Sequence, residues 1–120
     1  MTVLDHHIVP SRDRDAAAGW LSEMLGLAAP RREGPFAAVD VGPTSLFFAG
    51  WDDEVAHQHY AFAVTSGTLD EIVGRLEQAK VTYWAEHDLR EPNSVRRDES
   101  GAGIYFRSSE GHLLEVLTRT

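Results

Sequence analysis

The sequence predicts an α+β fold made of two β-α-β-β-β modules within one 120-residue domain. Three observations predict it. Short alternating apolar stretches, bounded by Gly, Pro and polar residues, recur along the chain. One segment in each half carries apolar residues at helical spacing. The order of elements then restarts near residue 57, so that His6 and His59 take matching places in the two halves. Module one covers about 1–52 and module two about 57–120.

The first module opens with a strand from Val3 to Val9, which Pro10 is expected to end. Ser11 is a suitable N-cap for a helix over 13–25. Ala17, Trp20, Leu21, Met24 and Leu25 recur at helical spacing there, and Gly26 is a good stop. Short strands near 27–32, 36–41 and 45–50 follow, punctuated by Gly34-Pro35 and Gly42-Pro43. The second module opens with a strand from His59 to Thr65. Thr68 is expected to begin a helix, with Glu71 completing a capping box and Leu69, Ile72, Val73 and Leu76 on one face. Strands near 82–86, 103–108 and 112–118 complete it. The charged stretch 87–102 reads as a long loop.

Composition narrows the function. Apolar residues make up 42% and charged residues 25%, as in an ordinary globular protein. Eleven Lys and Arg against 19 Asp and Glu give a net charge of −8. Such a surface repels phosphate backbones and anionic membranes, so neither nucleic acid nor a membrane is an expected partner. The chain has no cysteine, which excludes disulfides, thiolate nucleophiles and Cys-ligated zinc. The N-terminus lacks a basic region followed by an apolar stretch, and no apolar run approaches the ~20 residues of a membrane helix. The expected location is cytoplasmic.

Strand parity singles out three side chains. On the strand after His59, Tyr60, Phe62 and Val64 form a bulky apolar face, while His59, Ala61, Ala63 and Thr65 form a small, partly polar one. On the last strand Leu114, Val116 and Thr118 share one face, and Leu113, Glu115 and Leu117 the other. A carboxylate between two leucines is costly to bury unless a cation or donor meets it. On the first strand His6 lies with Leu4 and Ile8, and His7 with Val3, Asp5 and Val9. Two imidazoles, His59 with either His6 or His7, and the Glu115 carboxylate on one surface are a set that can hold a divalent metal and leave coordination positions open.

Plainer roles compete. Taken alone, His6 is more readily a buried histidine hydrogen-bonded to backbone, and the other two positions turn the reading to metal ligation. His57 shares parity with His59 and is the rival ligand. His7 reads as structural, His112 as a turn residue, and His87 as the start of the loop. Trp20, Trp51 and Trp84 read as core or interface. Arg90, Arg96 and Arg97 are either a solvated face of the loop or an anion-binding lid.

The chain resembles the vicinal oxygen chelate superfamily over nearly its whole length. Leu4-Asp5-His6-His7-Ile8-Val9 resembles the family's opening strand, whose histidine follows a Leu-Asp pair; this selects His6 over His7. His59-Tyr60-Ala61-Phe62-Ala63-Val64 resembles the strand that opens the second module. Tyr105-Phe106-Arg107-Ser108-Ser109-Glu110-Gly111-His112-Leu113-Leu114-Glu115 resembles the closing hairpin that ends in the carboxylate ligand, although Ser108-Ser109-Glu110-Gly111 departs from the usual Asp-Pro-Asp-Gly turn. The resemblance implies a curved mixed-sheet cup, a metal held by His6, His59 and Glu115, and Tyr105 as a catalytic residue near it. Iron(II) or manganese(II) is the first expectation and zinc, nickel or cobalt the second. Phe47 falls where glyoxalase I-type members carry a fourth, glutamate ligand, which turns the expectation towards three-ligand, dioxygenase-like chemistry. Isomerase, lyase or thiol-transferase chemistry on the same site is the alternative. Metal-free drug binding, as in bleomycin-binding relatives, is the alternative of a different class. The expected partners are a small molecule with adjacent oxygens and a second copy of the chain, with the site shared between subunits.

Overall fold

The computed structural model describes residues 1–119, which form two compact units, Met1–Ala56 and a second from His57 onward. The fold is α+β: each unit carries one helix and one mixed sheet.

The first unit contains β1 (His6–Ser11), α1 (Arg14–Leu25), β2 (Arg31–Glu33), β3 (Phe36–Val41) and β4 (Thr44–Gly50). Its sheet has the order β1-β4-β3-β2, with β1 parallel to β4 and the other pairs antiparallel. Helix α1 buries Ala17, Ala18, Leu21, Met24 and Leu25 and packs on β1, β3 and β4, as its apolar spacing predicts.

Two details of this unit correct the sequence expectation. The N-cap of α1 is Asp13, whose Oδ1 accepts from the Ala16 N–H at 3.1 Å. Ser11 is instead the buried last residue of β1, its hydroxyl donating to the Val9 carbonyl. Pro10 does not end β1 but lies within it. The reason is the sheet edge. Asp5 and Ser11 turn their carbonyls to β4, accepting from the Ser45 and Trp51 N–H groups. Alternation then directs the backbone of Pro10 away from β4, where no N–H is needed.

The second unit contains β5 (His59–Ala63), α2 (Ser66–Gln78), β6 (Tyr83–Trp84), β7 (Arg96–Asp98), β8 (Gly101–Arg107) and β9 (Leu113–Leu117). The sheet runs β5-β9-β8-β6, and β7 pairs with β8 beyond β6. Its core is Leu69, Ile72 and Leu76 of α2 with Ile104, Phe106, Leu114 and Val116 of the sheet, all almost fully buried. Each such side chain stabilises the fold by roughly 1.5–3 kcal/mol.

Here too the expectation needs correcting. Helix α2 begins one turn early: its N-cap is Thr65, whose Oγ1 accepts from the Thr68 N–H at 3.3 Å. The stretch expected to be one loop contains β7, and Trp84 forms an isolated bridge to Pro92. Among the described residues no helix is long and apolar enough to cross a membrane.

Candidate functional site

The register of the second sheet lines up the polar residues of one face. Ala61 of β5 lies opposite Glu115 of β9, which lies opposite Tyr105 of β8, which lies opposite Trp84 of β6. One row along, Leu117 faces Gly103, and Gly103 faces Arg96 of β7. Directly opposed residues share a face, so Glu115, Tyr105, Trp84 and Arg96 project on the side away from the buried Leu114 and Val116. His59 belongs to the same side by alternation with Ala61.

Side chains meet across these rows. His59 Nε2 lies 3.2 Å from Glu115 Oε1. Glu115 is largely buried, its side chain 15% exposed, between Leu113 and Leu117. The bland alternative of an exposed edge residue does not hold, because β9 is an interior strand. Tyr105 is buried, and its hydroxyl lies close enough to the Glu115 carboxylate and the Arg96 guanidinium for both to act on it. Burial first, and the Glu115 charge second, push the phenol above its usual range, so it is a protonated donor at neutral pH. The rings of His59 and His87 stand 6.3 and 6.5 Å from that of Tyr105.

His6 is fixed within the first unit. Asp5 Oδ2 lies 2.8 Å from its Nδ1. A carboxylate only accepts, so Nδ1 carries the proton and Nε2 is the lone-pair nitrogen of the neutral ring. The ring stacks on Phe47 at 4.6 Å and 16°. In β1–β4 pairing Phe47 lies opposite Ile8, two residues beyond His6. In β5–β9 pairing Glu115 lies opposite Ala61, two residues beyond His59. Phe47 therefore occupies in the first unit the place that Glu115 occupies in the second.

The donors suit a divalent metal. A neutral imidazole lone pair and a carboxylate at 3.2 Å repel unless a proton or cation lies between them. Two ligands about 2.1 Å from one ion at right angles stand about 3 Å apart, close to this separation. His59 and Glu115 are thus the two expected ligands that the described contacts bring together. Among the described residues no three His, Asp or Glu side chains form a ligand group.

The remaining histidines have other places. His57 rests against Gly111 and stands edge-on to His112, 6.3 Å between ring centres. His112 is buried, and its Nδ1 accepts from the Gln58 N–H at 3.0 Å. Burial, and then His57, lower its pKa, so it is a neutral structural residue. Sequence reasoning left Arg96 undistinguished from Arg90 and Arg97. Its signal was Gly103, a glycine on the Tyr105 face of β8: a Cβ there would lie 2.6 Å from Arg96 Nη2.

No protein-family model matches the sequence. The chain is 42% identical to a protein of known structure, oxidase ChaP-H1, with a TM-score of 0.95 over 100% of this chain and 98% of that one. It is 27% identical over 121 residues to the glutathione transferase FosA of Serratia marcescens, spanning 94% of this chain and 78% of that protein. The fold is also that of a glyoxylase/bleomycin resistance protein/dioxygenase domain from Frankia sp. EAN1pec, with 18% identity, a TM-score of 0.72 and coverage of 100% and 99%. With 42% identity to an oxidase over the full chain, and a fold shared with the glyoxalase and dioxygenase proteins, the chain belongs to the vicinal oxygen chelate superfamily and is an enzyme.

Proposed function

We propose that the protein is a metal-dependent enzyme with dioxygenase-like chemistry, acting on a small molecule that presents adjacent oxygens to the ion. The observation that carries this is the His59–Glu115 pair at 3.2 Å beside the Tyr105 phenol. The identity to an oxidase supports the oxidative branch. His59, Glu115 and His6 would hold the ion. When bound, Fe(II) or Mn(II) supplies Lewis acidity and open positions for substrate and O2.

The chain's own residues have definite tasks. Glu115 offers a carboxylate oxygen from an apolar flank, where Leu113 and Leu117 limit water and strengthen its attraction to a cation. Tyr105 keeps its proton at Oη and donates it as a hydrogen bond, orienting Glu115 or an oxyanion beside it. Phe47 offers His6 a ring rather than a fourth carboxylate, which keeps the ligand set at three. A second reading, transfer of a thiol such as glutathione on the same site, is supported by the relationship to FosA.

Metal content per chain on anaerobically purified protein, beside His59→Ala and Glu115→Ala, tests the proposal. The expected result is near-stoichiometric iron or manganese in the wild type and its loss in both variants. Protein that stays metal-free after reconstitution overturns it and favours drug binding. Glutathione consumption by the loaded protein, without O2 uptake, would favour the thiol transferase.

A further inference from the structure

Three arginines lie in the charged stretch after α2, and the structure treats them differently. Arg90 is exposed and paired with Asp88 at 2.6 Å. Arg97 is exposed on the other face of β7. Arg96 is largely buried, its side chain 21% exposed, and its guanidinium lies across Gly103 beside the Tyr105 hydroxyl.

The surroundings of Arg96 leave it incompletely complemented. Its Nε is buried and makes no hydrogen bond. Asp98 Oδ2 stands 3.3 Å away, an ion-pair distance without hydrogen-bond geometry, and that carboxylate is 47% exposed and accepts from Ser100. Glu115 is engaged with His59 and forms no ion pair with Arg96 among the described residues. A buried guanidinium is a planar fork of donors suited to an oxyanion. Tyr105 adds an O–H donor, and Trp84 and His87 add ring surface on the same side.

We propose that Arg96 is the anion-binding residue of this site and that the substrate is an aromatic acid, with a carboxylate or acidic phenolate next to the oxygens that would face His59 and Glu115. This rests on the reading of His59 and Glu115 as metal ligands only for what those adjacent oxygens bind. Gly103 is the residue that admits the guanidinium, since any side chain there would displace it. Tyr105 bridges the two parts, one oxygen in contact with the anion-binding group and with the carboxylate ligand.

Calorimetric binding of 2,3-dihydroxybenzoate and of catechol to the metal-free protein tests the inference, because chelation cannot contribute there. The wild type should bind the acid roughly tenfold more tightly than catechol, the effect of one charge-assisted contact. Arg96→Gln should bring the two affinities within about threefold, chiefly by weakening the acid. Arg96→Lys, which keeps the charge and loses the fork, should fall between them. Equal affinities in the wild type, an unchanged preference in Arg96→Gln, or no binding of either probe overturns the proposal. Repeating the titrations with Mn2+ separates the two readings. If Mn2+ strengthens neither probe, the metal reading fails while the acid preference still stands or falls by itself.

Discussion

His112 joins the two strands that carry the ligand pair. Its Nδ1 accepts from the N–H of Gln58, the residue before His59, and the Gln58 carbonyl accepts from Leu113 in return. An acceptor role at Nδ1 puts the proton of the neutral ring on Nε2, which is buried and without a partner. Protonating Nδ1 would abolish the contact, and burial already disfavours the charged ring. The folded pKa thus lies below the ordinary 6.5, and the unfolded chain binds the proton first on acidification. This stability is fully present above pH 6.5 and is lost as pH falls from there towards the folded pKa. Urea midpoints measured across that range should fall with pH in the wild type and less steeply in His112→Asn, which keeps an acceptor but does not titrate. His112→Leu, which strands the Gln58 N–H, should cost about 1–3 kcal/mol at neutral pH. The sequence suggested only a turn residue here, because a histidine after Glu-Gly carries no local sign of burial. By contrast the strand faces that carry His59 and Glu115 were legible residue by residue, since period-two alternation fixes a strand's faces without knowledge of its neighbours, whereas their pairing was implied only by the resemblance.

At the scale of elements, strand faces and helix faces followed from side-chain spacing, and boundaries followed from chemistry that admits several answers. Ser11 and Asp13 are both cap-forming residues, as are Thr65 and Thr68, and only the observed hydrogen bonds separate them. The first turn of α2, Ser66-Gly67, has poor helix propensity and hid the true start. Thr65→Ala should therefore destabilise the protein by about 1 kcal/mol, read as a lower thermal or urea midpoint, and Thr68→Ala by less. A larger effect at Thr68 would place the cap there instead. Strand β7 was not legible, because three charged residues, Arg96-Arg97-Asp98, carry no strand pattern of their own. Its existence depends on pairing with β8, a tertiary fact that no local window contains. That pairing is also what carries Arg96 to the candidate site.

At the scale of the molecule, the expected ligand set is divided: His6 stands in one unit, His59 and Glu115 in the other. The resemblance implies a homodimer whose sites draw on both subunits, and mixing tests this without any substrate. Neither His6→Ala nor Glu115→Ala alone should bind metal. Subunits of the two variants co-refolded in equal amounts should recover about a quarter of the wild-type metal content, since about half of the dimers are mixed and each rebuilds one of its two sites. No recovery in verified mixed dimers would confine the site to one chain. The element order, repeated in the two halves apart from the added β7, was legible because each half restarts the same alternation. How the halves combine was not, since no residue pattern records it.

Pro10 bears on a different hazard. A strand at a sheet margin offers a template on which further strands can stack without limit, the geometry of fibrous aggregates. The backbone of β1 that points away from β4 includes Pro10, which has no hydrogen to give. An incoming strand would find its ladder broken within two rungs of Ile8. The residue that interrupts the outer ladder leaves the inner one intact, so β1 can hold His6 in place without offering a continuous surface for growth.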